Sequence, residues 1–354
     1  MMAQNSAKKL DLLGMLPEEI SELMARRGLE AYRSAQVTEW LYQHNARSLD
    51  AMTNLPKRLR DELAEELFIT DIRALKVQVS QRDRTKKILF ELSDGMTVET
   101  VLMPEAGHST VCVSTQVGCA FGCVFCASGA GGLARNLSTG EIVDQARWAQ
   151  YDPDAGRLTN IVLMGMGEPL ANYEATAKAV RIFIHERCFA LGKRRVTIST
   201  AGYAPGIRRL ADDDLPVRLA LSLHATDNKT RSRLMPINRK YPLEETLDAC
   251  RLLARNRRTP LTIEYMLMRD VNDSLPEAAK LAKISLSLDA KVNLIECNPV
   301  LSGRFAAPPR ERILRFQATL RNAGVLAFIR RSRGLDVEGA CGQLRNAGLV
   351  ADSG

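Results

Sequence analysis

No apolar run in the 354-residue sequence approaches the ~18 residues of a membrane-spanning helix, so no membrane association is expected. The amino-terminal stretch MMAQNSAKKLDLLGML has no long apolar core ahead of a small-residue cleavage site, which argues against a secretory leader. There is no internal repeat and no low-complexity linker, which sets aside repeat architectures. What remains is ordinary globular composition, 45% hydrophobic and 25% charged residues, with length for one large domain and a smaller one. Eight cysteines, several in one tight cluster, point to a cytoplasmic metal-binding protein rather than a secreted disulfide scaffold.

Charge is unevenly spread. Residues 1–70 carry nine Lys/Arg and eleven Asp/Glu, a net of −2, so the rest of a chain with net charge +8 carries +10. Basic groups recur at Arg82, Arg84, Lys86 and Lys87, at Lys193–Arg195, at Arg255, Arg257 and Arg258, and at Arg330, Arg331 and Arg333. A polyanion such as RNA is a natural partner for such a surface.

The chain turns on the stretch Cys112-Val-Ser-Thr-Gln-Val-Gly-Cys119-Ala-Phe-Gly-Cys123-Val-Phe-Cys126. Three thiolates at C-x3-C-x2-C suit an iron–sulfur cluster or zinc. A closed site of either kind needs four ligands. Three leave a position open, so chemistry is expected here rather than a structural staple. The alternative is a zinc-bound loop of a non-catalytic RNA-binding protein, its fourth ligand supplied by Cys112 or His108.

Residues 16–67 read as three helices: one opening at Leu16-Pro17, one over Ala31–His44, and one within Ser48–Leu67 interrupted near Pro56. Asp94-Gly95 between Lys86–Leu92 and Met96–Met103 predicts a β-hairpin. Beyond it, seven apolar runs alternate with helical patterns. The strands are placed at Thr110–Ser114, Asn160–Met164, Arg195–Ser199, Val217–Ser222, Leu261–Met266, Lys291–Glu296 and Leu326–Arg330. The helices are expected to start near Ser138, Ala171, Pro205, Leu243, Leu275 and Pro309. Such alternation predicts a parallel sheet covered by helices, about six units of a partial or full barrel.

The polar motifs fall just after strands, on the rim where barrels carry their sites. Gly165-Met-Gly167-Glu168 offers bare amides beside a carboxylate, suited to an ammonium or hydroxyls. Ser199, Ser222 and Asn298 are candidates for ribose or carboxylate contacts, or plain strand-end caps. His224 reads as a base or as a structural hydrogen-bonding group. In the tail, Cys341 sits between Ala340 and Gly342. Those small neighbours predict an accessible thiol, and Arg330, Arg331 and Arg333 predict a lowered pKa. Cys188, Cys250 and Cys297 lack such surroundings and read as core.

Together the cysteine motif, Gly-Met-Gly-Glu168-Pro-Leu, Cys112 and Ala-Cys341-Gly-Gln-Leu resemble the RlmN/Cfr family of radical S-adenosylmethionine RNA methyltransferases, on the RlmN side. Tyr32-Arg33-x-x-Gln36-Val-x-x-Trp40, Arg135-Asn136-Leu and Ser222-Leu223-His224-Ala extend the likeness over nearly the whole chain. The chain departs from the family pattern at Glu296-Cys297, where Pro-Trp is usual.

The resemblance implies an α/β fold, a radical S-adenosylmethionine partial (β/α)6 barrel. Its parts would be an RNA-binding helical accessory domain (1–72), a β-hairpin extension (73–104), the radical core (105–338) and a tail with the catalytic cysteine (339–354). It implies one 4Fe–4S cluster on Cys119, Cys123 and Cys126, and two molecules of S-adenosylmethionine per turnover. Gly167, Glu168, Ser199, Ser222, Leu223, His224 and Asn298 would contact S-adenosylmethionine. Cys341 would carry the methyl group, Cys112 would resolve the adduct by a disulfide, and Glu99 would accept a proton. The substrates would be ribosomal and transfer RNA, methylated at C2 of adenine or, as in the sister activity, at C8. A monomer served by an electron donor such as flavodoxin is expected.

Overall fold

The computed structural model describes residues 9–257, 261–298 and 305–345. Arg258 of the basic clusters, Pro299 and residues 346–354 of the tail lie outside them.

The amino-terminal helices form where the sequence places them: α1 (Pro17–Arg26), α2 (Ala31–Tyr42) and α3 (Lys57–Glu66). Pro17 occupies the first turn of α1, where no amide hydrogen is needed, and Glu19 accepts from the Leu16 amide at 2.7 Å. Pro56 separates α3 from a single 3-10 turn at Leu49–Ala51.

Ten strands of the described residues form one sheet, and their order in space is their order in the chain. They are β1 (Arg73–Val79), β2 (Lys86–Glu91), β3 (Thr97–Glu105), β4 (His108–Cys112), β5 (Arg157–Leu163), β6 (Val196–Thr200), β7 (Arg218–Ser222), β8 (Thr262–Leu267), β9 (Lys291–Glu296) and β10 (Ala327–Arg330). From β1 to β4 the neighbours are antiparallel. From β4 to β10 they are parallel. The seven parallel strands are the seven expected, and with β1 and β10 as edges they make a partial α/β barrel.

Parallel neighbours need crossovers, and helices supply them. These are α4 (Thr139–Gln150), α5 (Tyr173–Ile184), α6 (Ala204–Asp212), α7 (Asn228–Leu234), α8 (Leu243–Arg257), α9 (Leu275–Ser287) and α10 (Arg310–Asn322). The capping box expected at the start of α4 is formed: the Glu141 amide donates to Ser138 Oγ at 3.2 Å, and the Ser138 amide to Glu141 Oε2 at 2.8 Å.

The hairpin at Asp94-Gly95 joins β2 to β3 as expected, but it is not a separate arm. β4 continues it into the main sheet, and β1 adds an outer strand that the sequence reading did not include. β1 is exposed along nearly its whole length, so its Leu75, Val77, Val79 alternation marks an edge rather than a core strand.

A buried ion pair docks the helical module onto the barrel. Arg147 of α4 is wholly buried; its Nη1 donates to the Ala46 carbonyl, its Nη2 to the Thr70 carbonyl and its Nε to Asp144 Oδ1 at 2.7 Å. Asp144 also accepts from the Ile72 amide and from Arg47. Charges buried this deeply hold only while every donor and acceptor is matched.

Candidate active site

The crossover from β4 to α4 carries the clustered cysteines. Gln116–Gly118 pairs with Leu133–Asn136 as a short antiparallel ribbon, closing the loop at its base. Gly118 has φ +79, and a Cβ there would lie 2.0 Å from the Gly132 carbonyl oxygen. The ribbon therefore admits only glycine at that position. Within the loop the Cys119 amide donates to the Gly132 carbonyl at 2.8 Å, and the Cys126 amide to the Cys123 carbonyl at 3.0 Å. All three thiols are half-buried. Burial pushes Cys119 up to about 12 and Cys123 well above its usual value, and each feels its neighbouring thiols.

These cysteines line a cavity of about 140 Å³ at the carboxyl ends of the strands. Gly167, Glu168, Ser199, Ser222 and His224 line it too. Gly167 has φ +101, and its amide-bearing turn packs on Gln116, whose Oε1 accepts from the Glu168 amide at 2.8 Å. The Glu168 carboxylate accepts from the Ala201 amide at 2.8 Å and the Leu170 amide at 3.2 Å. Burial nonetheless raises Glu168 to about 7. The Ser199 and Ser222 hydroxyls are 3.5 Å apart.

His224 has φ 56, and its Nδ1 accepts from the Met266 amide at 3.0 Å. Its ring stands edge-on to Phe125, with centroids 4.9 Å apart. Burial, and secondarily Arg231, pushes His224 down to about 3, so the ring is neutral at physiological pH with its proton on Nε2. Leu223 and Asn298 stand apart from this cavity. The Leu223 side chain is in the core, and its amide donates to the Glu264 carbonyl. Asn298 Nδ2 donates to the Cys341 carbonyl at 3.1 Å, while its Oδ1 accepts from Ser332 Oγ at 2.7 Å.

A second, smaller cavity of about 70 Å³ is shared by Cys112 and Cys341. Cys341 and Arg330 line both cavities. The tail that carries Cys341 is fastened at several points: the Ala127 amide donates to the Gly342 carbonyl at 2.7 Å, Ser128 Oγ to the Leu344 carbonyl at 2.6 Å, and the Arg345 amide to Glu99 Oε2 at 2.8 Å. Glu99 is buried and also pairs with the equally buried Lys87 at 3.2 Å.

The lowered pKa expected for Cys341 is corrected by this packing, which leaves the residue half-buried. Burial raises its pKa, and Arg330 acts against that effect without overcoming it. Arg333 does not contribute: it is engaged with Glu105 at 3.0 Å and with the Pro104 carbonyl. Cys112 is pushed up to about 12, first by burial and then by the charge of Cys341.

The comparisons agree with this geometry. Residues 113–282 match the radical SAM superfamily, and residues 10–69 match the ribosomal RNA large subunit methyltransferase N-terminal domain. A probable dual-specificity RNA methyltransferase RlmN from Thermotoga neapolitana is 45% identical over 95% of this chain and 97% of its own. One of the same description from Thermus thermophilus is 45% identical over 97% of this chain and 95% of its own. The chain belongs to the RlmN family of radical S-adenosylmethionine RNA methyltransferases. A crystal structure of a radical SAM methyltransferase from Sphaerobacter thermophilus, 46% identical, superposes with a TM-score of 0.90 over 95% of this chain and 99% of that one.

Radical S-adenosylmethionine enzymes of this family use a 4Fe–4S cluster and S-adenosylmethionine, and the residues here fit both. Cys119, Cys123 and Cys126 line one cavity and supply the soft thiolate donors that such a cluster takes. The glycine-lined turn at Gly167 brings backbone against the same cavity.

Two residues at this candidate site were missed in the sequence. Arg231 is wholly buried, binding the carbonyls of Leu223 and Ala201 and Asn238 Oδ1, and so ties three site loops together. No local pattern marks it. Glu264 did carry a signal, being a carboxylate inside the apolar run Thr262–Leu267.

Proposed function

We propose that this enzyme adds a methyl group to C2 of an adenosine in large-subunit ribosomal RNA and in certain transfer RNAs, through S-methylcysteine on Cys341. The observation that carries the reading is the shared cavity of Cys112 and Cys341, next to the cavity of the three clustered cysteines. The printed names of the relatives, dual-specificity RNA methyltransferases, support it.

C2 of adenine is not nucleophilic, so direct transfer from a sulfonium fails there. The Cys341 thiolate first attacks the methyl carbon of one S-adenosylmethionine, forming the new sulfur–carbon bond as S-adenosylhomocysteine leaves. When bound, the cluster on Cys119, Cys123 and Cys126 and a second S-adenosylmethionine supply hydrogen-atom abstraction, which turns the Cys341 methyl into a carbon that adds to C2. Glu99 accepts the C2 proton as the adduct gives up one electron to the one-electron donor couple, which restores the aromatic ring. Its bond to the Arg345 amide couples that step to the position of the tail. The Cys112 thiolate then attacks the Cys341 sulfur, forming the disulfide as the bond from sulfur to the transferred carbon breaks, and that carbon keeps the electron pair and takes up a proton to become the methyl group. Arg330, lining both cavities, favours the thiolate at either cysteine. Gly167, Glu168, Ser199, Ser222 and His224 form the cofactor wall.

The target base must leave its stack to reach a site this enclosed, and the basic region with the amino-terminal module provides the grip. A flavodoxin-class donor would supply the electron to a cytoplasmic monomer. Nucleoside mass spectrometry of ribosomal and transfer RNA, from cells with and without the enzyme, tests the reading. Enzyme-dependent 2-methyladenosine is expected. Enzyme-dependent 8-methyladenosine would assign the sister activity, and neither product would overturn methylation of adenine altogether.

A further inference from the structure

Lys87 and Glu99 are a cation and a carboxylate buried together on one sheet. Lys87 Nζ lies 3.2 Å from Glu99 Oε1, and the side chains are 5% and 8% exposed. Lys86, next in the chain, points to the opposite face and binds Asp152 and Asp154 at 2.8 Å. Two lysines of the basic run between Arg82 and Lys87 are therefore spent on internal pairs rather than on a polyanion.

Strand register explains the pairing. In the antiparallel ladder of β2 and β3, Lys87 stands opposite Val101, and Leu89 opposite Glu99. Residues two apart on a strand share a face, so Lys87 and Glu99 are diagonal neighbours within reach of a long side chain. Val101 in turn stands opposite Cys112 of β4. A row across three strands thus holds Lys87, Val101 and Cys112, with Glu99 beside it. Val101 and Cys112 line the cavity that they share with Cys341. The tail brings two more charges to this face. Glu338 Oε2 is 4.0 Å from Lys87 Nζ and 3.3 Å from Arg345 Nη2, and the Arg345 amide donates to Glu99 Oε2 at 2.8 Å.

A carboxylate with this little water around it is costly to keep charged, and an adjacent cation offsets the cost. The Arg345 amide is a neutral donor, and Glu338 is an anion that acts the other way. Among the described residues, Lys87 is the one cation in ion-pair contact with Glu99. Each carboxylate oxygen accepts more than one bond, so this pairing leaves room for a proton.

We propose that Lys87 is a positioning residue for the methyl transfer: it holds Glu99 ionised and oriented, so that the carboxylate can take the C2 proton near neutral pH. The inference rests on the functional reading above, in which Glu99 is the proton acceptor, and Lys87 acts through Glu99 rather than on the RNA.

The test follows release of tritium from C2 of the target adenine into water. It uses single turnovers of the anaerobically reconstituted holoenzyme, already methylated at Cys341, across pH ~5 to ~9. Release precedes the attack of Cys112, so that thiol does not set the profile. A base must be ionised to accept a proton, and each profile therefore falls on its acid side. An opposite charge at this distance favours the ionised carboxylate by ~1–3 pH units. In Lys87→Met the acid limb should move to higher pH by about that much, with release recovering toward the wild-type rate at the alkaline end. Lys87→Arg keeps the cation and should leave the limb near its wild-type position. Iron content and the mass of the methylated tail peptide report that each variant enters the assay folded and loaded. Should Lys87→Met fail that check, Lys87→Gln, which keeps a neutral donor, runs the same series with the same displacement expected.

A limb that stays in place, with release lowered equally at every pH, would make Lys87 structural only and overturn the proposal. Glu99→Gln separates this inference from the reading beneath it, and should release little tritium at any pH. Wild-type release from Glu99→Gln would remove the role of Glu99 and the inference with it. Impaired release from Glu99→Gln, beside superimposable Lys87→Met and wild-type profiles, would overturn the inference alone.

Discussion

Asn298 Nδ2 donates to the backbone carbonyl of Cys341 at 3.1 Å, so a residue just past β9 holds the carboxyl-terminal tail rather than lining the cavity of the clustered cysteines. The loop after Cys126 holds the same tail through Ala127 and Ser128. The loop of the three clustered cysteines and the tail that carries Cys341 thus form one hydrogen-bonded unit.

Loosening that unit should expose Cys341 without disturbing the cluster. Asn298→Ala and Ser128→Ala each remove one bond worth ~1 kcal/mol. Both variants should keep the wild-type iron content. Both should alkylate at Cys341 severalfold faster, read by mass spectrometry of the tail peptide, and the double variant faster still. Unchanged alkylation rates would mean that other contacts place the tail.

The two site cysteines should separate cleanly by variant. Cys112→Ala should accumulate a covalent protein–RNA adduct through Cys341, seen as a band shifted on a denaturing gel and abolished by nuclease. Cys341→Ala should lose RNA methylation and retain iron, whereas Cys119→Ala should lose iron. Iron loss from Cys341→Ala would make that thiol a ligand. Normal turnover by Cys112→Ala would remove its resolving role.

Most of this arrangement was legible before the fold was known. Seven parallel strands followed from apolar runs bounded by helical patterns, because strands buried on both faces read as continuous runs. The cysteine spacing marked the cluster loop for the same reason that it works: nearby thiols on a tight turn. What the sequence hid depends on distance in the chain. Residues 112 and 341 meet only because β4 and the tail flank one cavity. The free oxygen of Glu264, without a partner among the described residues, arises from register between strands, and the buried bonds of Arg231 from the packing of α7 against the loops after β6 and β7, neither of which a local pattern records. Cys341 misled in its acidity, since the arginines near it in the sequence do not offset the thiol's desolvation in the fold.

Docking of the helical module should depend on Arg147. Removing one member of a buried ion pair leaves the other uncompensated, at ~3–5 kcal/mol. Arg147→Ala should therefore lower the denaturant midpoint markedly, because Asp144 stays wholly buried beside a half-exposed Arg47. Asp144→Ala combined with Arg147→Ala should cost less than the sum of the singles. Additivity within ~0.5 kcal/mol would show that the two residues do not act as a pair.

His224 sets a pH dependence of stability whose sign can be worked out. Its folded pKa is about 3, against 6.5 for the free side chain. Between those values the unfolded chain binds a proton that the folded protein refuses. Stability is then fully present above 6.5 and falls as the pH drops from 6.5 toward 3. At pH 5 the loss is about 2 kcal/mol, from ~1.4 kcal/mol per pH unit below 6.5. His224→Asn removes the titrating group, and asparagine tolerates the positive φ at this position. Its amide oxygen can also replace Nδ1 as acceptor for the Met266 amide. The exposed His44 and the partly exposed His108 and His185 are common to both proteins and cancel. Chemical denaturation at pH 5, 6 and 7 should show a shallower acid slope in the variant, by up to one proton. Parallel slopes would mean that His224 titrates normally in the folded enzyme, and that its ring is not held neutral by burial.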